Sequence, residues 1–139
     1  MIFVNKKTQM TRKTFLTTAS IIAFSVGIFA LLFPSILLDS KGVTPLYGTL
    51  VWTRETGLLL LSIGVIAFLI RKNDDSETLK AFLFGNSFIQ IGLFIIELSA
   101  YFDGIITKLS GIIPNLILHI LLAIGFIHFW ATMKLKTNK

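Results

Sequence analysis

TFLTTASIIAFSVGIFALLFPSILL, residues 14–38, contains no charged side chain from end to end. A helix needs about 20 predominantly apolar residues, at 1.5 Å each, to cross roughly 30 Å of hydrocarbon. This stretch satisfies that condition without help from its flanks. Three further runs match it: residues 50–70, 79–102 and 112–133. The connections, residues 39–49, 71–78 and 103–111, leave no room for a soluble domain. The apolar runs are continuous and do not alternate, which excludes a transmembrane β-barrel. The expected fold is all-α: one integral membrane domain over residues 1–139, an antiparallel four-helix transmembrane bundle.

Composition agrees. Hydrophobic residues make up 54% of the 139 and charged residues 14%, with 13 Phe and a mean hydropathy of +0.82. Soluble domains carry roughly 25% charge, so this chain could not cover a water-facing surface. A soluble enzyme, a disordered tail and a nucleic-acid-binding domain are all disfavoured. There is no cysteine, hence no disulfide, no thiolate nucleophile and no Cys-based metal site.

The formal charge of +6 is explained by orientation. Lys6, Lys7, Arg12, Lys13, Arg71, Lys72, Lys80, Lys134, Lys136 and Lys139 fall on one side of the spans, against Lys41, Arg54 and Lys108 on the other. The positive-inside rule then places both termini in the cytoplasm, in a multi-pass protein of a bacterial-type cytoplasmic (inner) membrane. Tyr47, Trp52 and Tyr101 at the outer ends and Trp130 at an inner end fit interfacial aromatic belts. The excess charge adds a mild attraction to anionic lipid and calls for no nucleic acid. The first apolar run is much longer than the 7–15 residues of a signal-peptide core, and residues 35–42 offer no A-x-A site, so cleavage is not expected. Pro34 should kink or stop the first helix. Gly42, Pro45 and Gly48 mark the following loop as an ordered, turn-rich connection.

Ionisable residues inside a bilayer cost about 2.5–3.5 kcal/mol each on insertion scales, so each asks for a reason. Arg54 and Glu55 open the second span. From residue 56 to 70 is only roughly 22 Å of helix, too short to cross, so this polar pair should dip below the headgroups. The third span places Asn86, Gln90 and Glu97 on one face with Leu93, and the fourth places Asn115 and His119 at i, i+4. All but Asn86 and Gln90 fall in the outer half. The simplest expectation pairs Arg54 with Glu97 across the second and third spans, with His119 or Asn115 completing the hydrogen bonds. Such residues either tie helices together or line a site for a small molecule. Haem and catalytic zinc are not expected: His119 and His128 share one helix, point apart and have no third His to join them. His128 reads as an interfacial residue. No cofactor or metal is called for. Gly57 and Gly64, and likewise Gly85 and Gly92, stand seven apart and should let helix backbones approach closely, first within the bundle, with a homodimer face as the alternative.

Arg54–Glu55–Thr56–Gly57, with R-x-x-G in the second span after a Pro-containing loop, and Asp103–Gly104 after the third, resemble the DoxX-like group of small four-helix bacterial membrane proteins. The resemblance covers most of the chain in architecture and implies the same fold. In that group an Arg often stands where this chain has Glu97, so no site transfers directly. Some DoxX-like proteins are associated with quinone-linked thiosulfate oxidation, but most have no established activity.

Three functions are compatible with these residues. The first is binding of a lipid-like or quinone-like amphiphile in an outer-facing pocket, its head at Arg54, Glu55, Glu97, Asn115 and His119, with Gln90 and Asn86 deeper. The second is a non-catalytic scaffold or accessory subunit holding a membrane partner. The third is acid–base catalysis on a lipophilic substrate, with Glu97 or Glu55 as base and His119 as acid. Transport is the weakest, since four short spans with no discontinuous helix offer little for alternating access.

Overall fold

The structure, a computed structural model, describes residues 10–135. Lys6, Lys7, Lys136 and Lys139, used above for orientation, lie outside the described residues. Five helices follow in order: α1 Arg12–Leu32, α2 Pro34–Ser40, α3 Tyr47–Ile70, α4 Glu77–Phe102 and α5 Leu109–Thr132. Four of them, all but α2, are long and apolar enough to cross a membrane. There is no strand among the described residues.

The helix ends follow from local chemistry. Thr11 caps α1, its hydroxyl oxygen accepting from the Thr14 N–H at 3.2 Å, and Ser76 caps α4 by accepting from Leu79 N–H at 3.2 Å. The first apolar run does not continue as one helix to residue 38. Pro34 has no N–H and disfavours helical geometry at the residue before it, so the chain breaks at Phe33 (φ −126°, ψ 50°). Pro34 then serves as the first residue of the seven-residue α2, where its missing donor costs nothing. Gly42 and Gly104 adopt a φ of +73°, turning the chain after α2 and after α4.

The long helices associate as two pairs of different character. α1 lies on α3 through small residues. Gly27 faces Gly57 so closely that a Cβ on Gly27 would stand 2.9 Å from the Gly57 carbonyl oxygen. Further along, Gly64 faces Ser20 and Ala23, and the Ser20 hydroxyl donates to the Gly64 carbonyl at 2.8 Å. Residue numbers rise along one helix as they fall along the other. α4 lies on α5 through polar side chains, described below.

The two pairs meet at the end where α1 begins. Phe15 packs edge-on to Phe126 at 4.9 Å between ring centroids and lies 5.2 Å from Phe129. It occupies the space left by Gly125, where a Cβ would stand 2.2 Å from the ring. Leu16, Ala19, Leu79, Leu83 and Met133 complete this buried cluster. Arg12 forms an ion pair with Asp75 and donates to the Asn73 carbonyl at 2.6 Å, tying α1 to the α3–α4 connection.

Gly85 and Gly92 differ from expectation: a Cβ at either would meet nothing within 4 Å, so they bring no backbone close. Of the two expected pairs, only Gly57 and Gly64 serve that role, because they face α1. Gly57→Leu is therefore expected to destabilise the detergent-solubilised protein by about 1–3 kcal/mol through overpacking. Gly85→Ala and Gly92→Ala should be neutral or stabilising by up to about 1 kcal/mol. Thermal unfolding monitored by size-exclusion chromatography would rank the three.

Candidate ligand cavity

The site is built from the α2 end. At the end of α2 the backbone of residues 39–42 is clasped by the α4–α5 connection. The N–H groups of Thr107 and Lys108 donate to the Lys41 carbonyl at 3.1 and 3.2 Å. The Thr107 hydroxyl donates to the Gly42 carbonyl at 2.9 Å, and the Lys108 ammonium to the Asp39 carbonyl at 2.7 Å. Gly111 permits this approach, since a Cβ there would lie 2.3 Å from the Ser40 carbonyl oxygen. The clasp fixes Lys41 over α4 and α5, and its ammonium forms an ion pair with Glu97. Both side chains are largely buried, with relative exposures of 13% and 16%.

Glu97 and its neighbours form a polar strip on facing sides of α4 and α5. Glu97 Oε1 accepts from Lys41 and also from Asn115 Nδ2 at 3.0 Å. One turn further in, His119 Nδ1 lies 2.7 Å from Gln90 Oε1, and His119 Nε2 stands 4.0 Å from Glu97 Oε2. Asn86 is deeper still, and its amide donates to the Phe82 carbonyl at 2.9 Å. Two acceptors on this strip, Glu97 Oε2 and Asn86 Oδ1, are buried without a hydrogen-bond partner. Buried polar atoms are nearly always satisfied, so each marks a place where a partner group is wanted.

The strip is one wall of a cavity of about 590 Å³ between the two helix pairs. The opposite wall is mainly apolar, formed by residues such as Ala23, Val26 and Phe29 of α1 and Leu60 and Ile63 of α3. Leu37 and Leu38 of α2 line it beside Lys41. Phe126 and Ala67 line its far end. Small-molecule sites characteristically occupy about 300–1,000 Å³, with apolar walls and a few convergent polar groups. A second, more open groove of about 880 Å³ runs along the α1–α5 seam and shares Ala19, Ile22, Leu118 and Leu122 with the cavity. His128 lines that groove, its ring edge-on to Phe129 at 5.0 Å.

The structure brings together Asn86, Gln90, Glu97, Asn115 and His119. Arg54 and Glu55 do not join them. Packing of Gly57 and Gly64 against α1 sets the rotation of α3 so that Thr53, Thr56, Leu60, Ile63 and Ala67 face the cavity, leaving Arg54 and Glu55 exposed. The expected Arg54–Glu97 pair is thus replaced by Lys41–Glu97. Lys41 was missed because its sequence position is that of an ordinary loop cation. The one signal was the segment it follows, PSILLDS, which is too short to span and too apolar to lie in water.

The chain is, at the level its fold defines, an all-helical protein with four helices able to cross a membrane. No protein-family model matches it, and neither does any curated protein or solved structure in the comparisons made.

Removing one partner of a largely buried ion pair strands the other, so Lys41→Met should lower stability by about 1–3 kcal/mol. Adding Glu97→Gln to it should recover part of that loss. Arg54→Ala should stay within about 0.5 kcal/mol of wild type. A double-mutant cycle on thermal unfolding in detergent, with Arg54→Ala alongside, checks all three.

Proposed function

We propose that this chain is an antiparallel four-helix bundle of a bacterial-type cytoplasmic membrane, with both termini cytoplasmic, that binds a lipid-like or quinone-like amphiphile. On that orientation the Lys41 clasp lies near the outer interface, and the cavity extends from it toward Ala67 and Phe126 on the inner side. The Lys and Arg distribution supports the orientation. The similarity in R-x-x-G and D-G to DoxX-like proteins supports the architecture. The observation that carries the binding reading is the cavity itself: about 590 Å³, apolar on the α1 and α3 side, polar on the α4 and α5 side, with two buried acceptors unspent. An amphiphile matches that division, its head toward Glu97 and His119 and its tail along α1 and α3.

One observation favours a second reading, a non-catalytic scaffold. The Glu97–Asn115 and Gln90–His119 bonds both join α4 to α5, as helix-to-helix ties would.

Native mass spectrometry of the detergent-purified protein separates the two. Wild type should retain a small molecule, and Leu93→Trp, which fills the cavity from α4, should lose it while remaining folded. A scaffold would show a bare chain mass in both. Glu97→Gln would then lower stability with no ligand to lose.

A further inference from the structure

We infer that the cavity takes a neutral amphiphile whose head carries a hydroxyl hydrogen, an alcohol or a phenol, in preference to an anionic head or one that only accepts hydrogen bonds. The inference rests on the cavity binding an amphiphile and narrows the proposed heads to hydroxylated ones, which favours a reduced, quinol-type head over a quinone whose carbonyls only accept.

The first argument is charge. Among the described residues, Lys41 and Glu97 are the only Lys, Arg, Asp or Glu side chains lining the cavity, and they are paired with each other. A phosphate or carboxylate head would have to take Lys41 from Glu97 while lying beside the carboxylate it displaced. Two like charges brought together at low dielectric repel strongly. A neutral head leaves the pair intact.

The second argument is the direction of the unspent hydrogen bonds. The Lys41 ammonium and the Asn115 amide both donate to Glu97 Oε1. Gln90 Oε1 can only accept, so the bond to His119 Nδ1 places a proton on that nitrogen. A neutral imidazole protonated there has a lone pair at Nε2. That nitrogen lies 4.0 Å from Glu97 Oε2, too far for a direct bond. Glu97 Oε2 and Asn86 Oδ1 are likewise acceptors with no donor. The buried atoms of the strip left without a partner are therefore both acceptors. A hydroxyl placed at His119 Nε2 donates its one hydrogen to that nitrogen. A head offering only carbonyl or ether oxygens would leave all three acceptors unspent.

The test compares three amphiphiles of one chain length: 4-dodecylphenol, its methyl ether 4-dodecylanisole, and dodecyl phosphate. Binding is measured on the full chain in lipid nanodiscs against empty nanodiscs. Wild type should bind the phenol at least about tenfold more tightly than the anisole, the scale of one hydrogen bond to a buried acceptor, and more tightly than the phosphate. In His119→Phe, confirmed folded by its elution profile, phenol and anisole should bind equally. The ligand comparison on wild type is decisive by itself should that variant fail to fold. Equal binding of phenol and anisole by wild type would overturn the inference while leaving amphiphile binding standing. Tighter binding of the phosphate would overturn it in favour of an anionic head. A phenol preference that survives in His119→Phe would overturn the role given to that ring. Binding of none of the three above empty nanodiscs would count against amphiphile binding itself, and the inference would fall with it.

Discussion

A glutamate placed inside a bundle of apolar helices must find a counter-charge, and much of this molecule can be read as the means by which Glu97 finds one. The counter-charge is on none of the four long helices. It arrives on Lys41, carried in by a chain break at Pro34, a short apolar helix, and a loop clasped by backbone hydrogen bonds to the α4–α5 connection. Without compensation an ionised carboxylate in such surroundings would cost several kcal/mol. The arrangement of the α2 end follows from meeting that need. Glycine at positions 42 and 111 belongs to the same solution, because the clasp brings backbone against backbone.

The two helix pairs are held by unlike forces. α1 and α3 meet through glycine, alanine and serine, where close approach gives dispersion contact along the seam. α4 and α5 meet through longer polar side chains, which tie them by directed bonds. A seam of small residues is narrow and one of polar residues is not. The pairs close on each other around Phe15, Phe126 and Phe129 at one end and are bridged by α2 at the other. The volume between those closures is the cavity. Its two-sided lining is thus inherited from the way each pair holds together.

The four spans were legible because hydrocarbon imposes a length and a composition that few other environments do. The common face of Asn86, Gln90 and Glu97 was legible too, since helical period alone fixes it, and so was the i, i+4 pair Asn115 and His119. The rotation of α3 was not. That helix is apolar almost all round, so its pattern carries no preferred face, and Arg54 could not be aimed from sequence. The glycine spacing of α4 matched that of α3 without matching its role, because spacing describes a helix surface and says nothing of what lies opposite. Lys41 was hidden for a related reason. Its partner is 56 positions away, and only the tertiary clasp brings the two together.

The helix between Pro34 and Ser40 has seven residues, so it advances the chain by roughly 10 Å and about two turns before Lys41 is reached. That makes α2 a spacer of fixed length. One residue more or fewer would turn Lys41 by about 100° around the axis and shift it by about 1.5 Å, away from Glu97 and out of register with Thr107 and Lys108. The α3–α4 connection carries no such constraint on its count beyond keeping Asn73 and Asp75 near Arg12. Among the chain's connections, variation in length should be tolerated there and excluded from the segment between Pro34 and Lys41.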